Sequence, residues 1–147
     1  MSRLMEERQD AFATAPAAAG EPRGGCLARA AAPLLTVIVP AFNEAATIDE
    51  LLRRVVAIPL DMQVVVVDDG SSDATPNVLE GWEGNQFVEL LAHSRNRGKG
   101  AAIRTGLDHA RGRFTIVQDA DLEYDPADYH RLLAPLLAGE VDVVYGS

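Results

Sequence analysis

Apolar residues in this chain fall in short, nearly unbroken runs that alternate with stretches of helical period. Residues 34–39 read Leu-Leu-Thr-Val-Ile-Val, and Pro40 ends the run. Unbroken β-branched runs of this length mark strands buried on both faces. From Asn43-Glu44 the period changes. Ile48, Leu51, Leu52, Val55 and Val56 share one helical face, predicting a helix that reaches Ile58 and stops at Pro59. A second strand follows over 63–67. Ser72 or Asp73 can then cap a short helix running towards Trp82. A third strand is predicted over 87–91 and a helix over 101–110, with Gly112 past its end as a C-cap signal. The fourth strand covers 114–118. Pro126 stands near the first turn of a helix carrying Tyr129, Leu132, Leu133, Leu136 and Leu137. Pro135 inside it predicts a kink or an early end. Residues 141–145 begin a fifth strand.

Strands alternating with helices predict an α/β domain with a doubly wound, mostly parallel, Rossmann-like sheet. In such sheets the ligand lies beyond the carboxyl ends of the strands. Three polar clusters fall there, from three separate strands: residues 40–44, 68–72 and 119–123.

Composition sharpens this picture. The length of 147 residues suits one domain. Residues 1–33 are rich in Ala, Pro, Gly and Arg without a period, and are expected to be a disordered tail. Its four arginines (Arg3, Arg8, Arg23, Arg29) balance its four acids (Glu6, Glu7, Asp10, Glu21). The whole formal charge of -9 therefore belongs to residues 34–147. An acidic domain is a poor partner for nucleic acid; one that binds phosphates recruits a cation. Cys26 is the only cysteine, so no internal disulfide forms, which fits a reducing compartment. No apolar stretch reaches the roughly 20 residues of a membrane span. Glu6, Glu7 and Asp10, with a Pro-interrupted stretch over 11–19, argue against a signal peptide.

The acidic cluster Asp119-Ala120-Asp121-Leu122-Glu123 organises the candidate chemistry. Three carboxylates at alternate positions repel one another unless a cation joins them. Asp119, Asp121 and Glu123 are therefore candidate ligands for Mg²⁺ or Mn²⁺, which would neutralise a leaving diphosphate. A solvated, helix-capping turn is the plainer alternative. Asp69 can accept hydrogen bonds from a ribose or base, with Gly70 allowing close backbone approach; an Asx turn is the alternative. After the first strand, Pro40 stiffens the loop, Phe42 can lean on a base or sugar, and Glu44 can accept from the nucleoside. Asn43 can equally serve as an N-cap, with Glu44 favoured by the helix dipole. Arg95-Asn96-Arg97-Gly98-Lys99-Gly100 is the basic concentration of the domain and precedes a helix, so it suits a diphosphate or is simply solvated. It matches neither a P-loop nor a dinucleotide fingerprint. His93, His109 and His130 have no carboxylate partner that spacing justifies and are read as structural. Trp82 is read as a packing residue.

Taken together, VIVPAFNE, VVVVDDGSSDAT, NRGKGAAIRTGL and VQDADLEYDP resemble, in order and spacing, the family 2 glycosyltransferases of GT-A fold. Within that family they are most similar to polyprenyl-phosphate (dolichol-phosphate-like) mannosyl- and glucosyltransferases. The resemblance covers residues 35–147. It implies that Pro40, Phe42 and Glu44 line a nucleoside pocket, and that Val67 and Asp69 contact base and ribose. Lys99 would approach the diphosphate. Asp119, Ala120 and Asp121 would lie along diphosphate and metal, with Asp119 and Asp121 as catalytic groups and Asp121 the direct metal ligand. The implied reaction moves a hexose from a GDP-mannose- or UDP-glucose-type donor, with inversion, to polyprenyl phosphate or to a saccharide hydroxyl. The implied location is cytoplasmic, peripheral at the inner membrane face in the full-length enzyme. Family members continue past the position of Ser147, and one of their later strands inserts between the fourth and fifth strands. The chain is accordingly expected to be an incomplete, N-terminal donor-binding part, inactive alone.

Two rivals share some features. A sugar nucleotidyltransferase would carry a glycine-rich basic loop after its first strand, where this chain has Pro-Ala-Phe-Asn-Glu. A metal-binding receiver-type signalling module would place its paired acids after the first strand, whereas Asp68-Asp69 follow the second.

Overall fold

The computed structural model describes residues 32–144. The expected tail over 1–33 and Cys26 lie almost wholly outside them. Four parallel strands form one sheet in the order β3-β2-β1-β4. They are β1 (Leu35–Ala41), β2 (Met62–Asp68), β3 (Val88–Ala92) and β4 (Phe114–Val117). Leu35 pairs with Met62 on one side of β1 and with Phe114 on the other. The chain thus winds outwards through β2 and β3, then crosses back past β1 to place β4. The reversal lies between β1 and β4.

Helices α1 (Ile48–Val56), α2 (Thr75–Glu80) and α4 (Tyr129–Leu137) pack with one face of the sheet, and α3 (Lys99–His109) covers the other. Strand alternation sorts the side chains. Val37, Val39, Val64 and Val66 join Leu51, Leu52, Val55 and Tyr129 in the larger core. Val65 and Val67 turn the other way, to Ala102 on α3. Gly106 is needed there, because a Cβ would sit 2.5 Å from Ile38 Cγ2.

Polar residues inside the strands are satisfied at the amino-terminal edge. Gln63 Nε2 donates to Glu89 and to the His109 carbonyl, while Thr36 and Gln63 accept from the Arg111 backbone N–H. Gly112 N–H donates to Thr36 Oγ1 at 2.8 Å. Gly112 is therefore not the expected helix cap; Ala110 holds that place. A Cβ on Gly112 would collide with the β1 backbone.

Other boundaries also differ from expectation. α1 begins at Ile48, not at Asn43-Glu44, because Asn43 takes a φ of 58° and its side chain serves a neighbouring loop. α3 begins two residues early, at Lys99. A 3₁₀ turn over Pro126–Asp128 precedes α4, which ends two residues beyond Pro135. The fifth strand does not form over 141–144, where Val141 and Val143 are exposed. A strand needs a hydrogen-bonding neighbour, and residues 141–144 pair with neither β4 nor any other described strand.

Candidate functional site at the carboxyl edge of the sheet

The three polar clusters do meet. A cleft of about 250 Å³ opens above the carboxyl ends of β1 and β4, where the winding reverses. Pro40, Phe42 and Glu44 form one wall, and Asp119, Ala120 and Asp121 form the opposite one. Asp69, Asn96, Lys99 and Ala102 close the side under α3. Lys99 Nζ reaches Asp119 Oδ1 at 2.6 Å, with both side chains partly open to water. Asp121 is exposed, and its Oδ1 accepts from the Glu123 N–H at 3.1 Å.

The walls are built by loops that brace each other. Asn43 N–H donates to Ser71 Oγ, and Asn43 Oδ1 accepts from Ser72 and Asp73 N–H. Glu44 N–H donates to Thr75 Oγ1 at 2.8 Å. The Asn43 side chain therefore ties the first polar loop to the second instead of capping α1. Asp73 Oδ1 accepts from the Thr75 N–H at 2.9 Å in a turn ahead of α2, but the N-cap position of that helix is Ala74, not the expected Ser72 or Asp73. Gly70 has a φ of 71°, and a Cβ there would meet the Arg95 carbonyl carbon at 2.5 Å. Its freedom serves the approach of the 95–98 loop.

Asp69 is 2% exposed, and its acceptor sites are used internally. His93 Nδ1 donates at 2.6 Å, Gly98 N–H at 2.7 Å and Arg97 N–H at 2.9 Å. Burial pushes this carboxyl up, but the bonds from His93, Arg97 and Gly98 outweigh it and hold Asp69 below its ordinary value. His93 Nε2 also meets Thr105 Oγ1 at 2.9 Å, and His109 Nδ1 meets Glu89 at 2.7 Å. Two of the three histidines thus have the carboxylate partners that spacing did not reveal. Trp82 packs on the core and also donates to Asp49 at 3.1 Å.

Beneath the acidic loop lies a buried pair absent from the sequence reading. Gln118 and Tyr129 are 3% and 2% exposed, and Tyr129 O–H donates to Gln118 Oε1 at 2.9 Å. Burial pushes the Tyr129 phenol up, so it remains a donor. The one available signal was a polar glutamine closing an apolar strand.

Some expected residues stay outside the cleft. Val67 is fully buried against α3 and does not line it. Glu123 is exposed beyond the wall, so the expected set of three carboxylates is not assembled. Among the described residues, no three His, Cys, Asp or Glu side chains converge on one point. Of the basic loop, Lys99 and Asn96 line the cleft, whereas Arg97 contributes its backbone to Asp69. Two hard carboxylates still fit a hydrated divalent ion that completes its shell with substrate phosphates.

The parallel sheet with its cleft at the point of reversal has the fold of the GT-A glycosyltransferases, as its likeness to solved members of that class shows. Residues 36–147 match the model for glycosyl transferase family 2, and the chain belongs to that family. It is 36% identical over 118 residues to a dodecaprenyl-phosphate galacturonate synthase of Rhizobium johnstonii, covering 76% of this chain and 35% of that protein. It is 37% identical over 118 residues to an undecaprenyl-phosphate 4-deoxy-4-formamido-L-arabinose transferase of Pseudomonas aeruginosa, covering 76% and 34%. A mannosyltransferase of Pyrobaculum calidifontis, solved with GDP-Man and Mn²⁺, superposes with a TM-score of 0.56 at 37% identity. That match covers 60% of this chain and 28% of the other. The chain spans about a third of the length of these curated relatives.

Proposed function

We propose that this chain supplies the donor-binding part of an inverting glycosyltransferase that moves a sugar from a nucleotide-diphosphate donor to polyprenyl phosphate. The observation that carries this reading is Asp119 and Asp121 on one wall of the reversal-point cleft, with Lys99 in contact across it. Pro40, Phe42 and Glu44 would take the nucleoside, with Phe42 leaning on its base or sugar. Asp69 would act on the nucleotide through the loop it braces, since its own acceptors are occupied. Lys99 would exchange Asp119 for a phosphate oxygen when the donor arrives. Asp121 and Asp119 would hold Mg²⁺ or Mn²⁺, which as a Lewis acid favours departure of the diphosphate. The Mn²⁺ in the superposed mannosyltransferase supports a divalent ion of this kind.

The acceptor assignment is supported by the names of the two relatives, both polyprenyl-phosphate enzymes. A phosphate nucleophile is already anionic and needs no strong general base. An acceptor of this kind would bring the full enzyme to a membrane surface, which we take to be the cytoplasmic one. No described helix is long and apolar enough to cross one.

Calorimetric titration with UDP, GDP and their sugars, with and without Mn²⁺ or Mg²⁺, tests the reading. Binding of one diphosphate should require the metal and weaken at least tenfold in Asp121→Ala. Equal affinity in both proteins would overturn the assignment. A stable acyl phosphate formed with a small phosphodonor would favour the receiver-type module instead.

A further inference from the structure

We propose that Gln118 and Tyr129 are positioning residues, a buried neutral clamp that sets the acidic loop in its metal-ready shape. β4 ends at Val117, and Gln118 follows with its backbone N–H still bonded to the Ile38 carbonyl at 2.9 Å. Its side chain runs under the loop. Gln118 Nε2 donates to the Asp119 carbonyl at 3.1 Å and to the Tyr124 carbonyl at 3.3 Å. One amide therefore holds both ends of the segment that carries Asp119 and Asp121. Both of those partners are carbonyls, which only accept, so the amide has one satisfactory orientation. Tyr129 locks it by donating to Oε1 from the start of α4.

The loop needs such a clamp. Leu122 has a φ of 64°, a left-handed conformation that disfavours leucine and persists only where the surroundings enforce it. Glu123 N–H bonds Asp121 Oδ1 within the same turn, so the direction of that carboxylate follows the loop backbone. Neither Gln118 nor Tyr129 lines the cleft itself, and their bonds go to backbone carbonyls and to each other, not to a charged side chain. They carry no charge that a metal or phosphate would sense at a distance.

The inference rests on the reading that Asp119 and Asp121 hold a metal, and its test separates the two. Tyr129→Phe removes one hydroxyl and keeps the ring; Gln118→Met removes the amide at similar volume. Two quantities are measured on the chain and both variants. The first is nucleoside diphosphate affinity in Mn²⁺ and in EDTA. The second is hydrogen exchange of the Leu122, Glu123 and Tyr124 amides against global stability. Outer partners of metal ligands typically set affinity by about 10–100-fold. We expect the Mn²⁺-dependent gain to fall about tenfold, EDTA affinity to hold, and the loop amides to exchange faster than global unfolding explains. Unchanged Mn²⁺ dependence in folded variants would overturn the clamp. Equal loss of both affinities, or unfolding of Tyr129→Phe, would also overturn it by assigning the pair to general stability. If the parent chain shows no metal-dependent binding, the site reading fails. The exchange data then still decide whether the clamp shapes the loop.

Discussion

Asp69 concentrates the chemistry of single residues in this molecule. It is a buried acid whose oxygens accept from His93, Arg97 and Gly98, and its pKa lies below the ordinary carboxylate value. A carboxyl depressed by folding contributes stability above its unfolded pKa, near 4, and loses it as pH falls through the lower folded value. Asp69→Asn should therefore cost about 2–3 kcal/mol at pH 7, by placing amide hydrogens against backbone donors. The gap between variant and parent should narrow as pH drops below about 4. Urea denaturation across that range checks it; a constant gap would show that the charge is not what matters. The His93 partnership was hidden by a sequence separation that means nothing until β3 is laid beside β2. Asp68 then pairs with Ala92, and the next residue on each strand is Asp69 and His93. Gly112 shows the same limit. A glycine after a helix reads as a cap, but the reason for it lies in the Thr36 backbone. Gly112→Ala should cost about 1–3 kcal/mol in thermal or chemical unfolding, well above the small change expected of an open turn.

At the scale of elements, periodicity carried most of the information. Ile48, Leu51, Leu52 and Val55 form the buried stripe of α1, as their spacing requires. Leu52 is fully buried, so Leu52→Ala should lose about 3 kcal/mol, read from the urea midpoint. Arg54 pairs with Glu50 on the exposed face of the same helix. Such pairs contribute about 0.5 kcal/mol or less, so Arg54→Gln should leave that midpoint nearly unchanged. The helix start was misplaced because a local rule, asparagine before a helical stripe, lost to a long-range one. Asn43 gains more by bracing residues 71–73 than by capping four residues ahead. The fifth strand failed for the complementary reason. Val141 and Val143 have strand propensity, but propensity does not set register, and residues 141–144 run near β4 without pairing to it. The acidic loop was legible in its charges and not in its support, since no pattern in the sequence links Gln118 to Tyr129.

For the whole molecule, the class of sheet was readable and the order of its strands was not. The order decides where the site is. Alternating elements predict carboxyl-end clusters, but only β4 lying beside β1 brings residues 119–121 to face residues 40–44. The outer edge of β4 remains open among the described residues, with Val117 half-exposed on it and Val143 nearby. The central place of β1 has a further consequence, for the time course of assembly. β1 finds its first neighbour after one short crossover, but its other side waits until the chain has passed through β2 and β3. Contacts between distant segments form slowly because loop closure must precede any gain. A nucleus of β1, α1 and β2 would already be in place before β4 docks. Destabilising substitutions in β4 should therefore speed unfolding and leave the refolding rate nearly untouched, whereas those in β2 should slow refolding. The cleft, which needs β1 and β4 together, would then form only once β4 has docked.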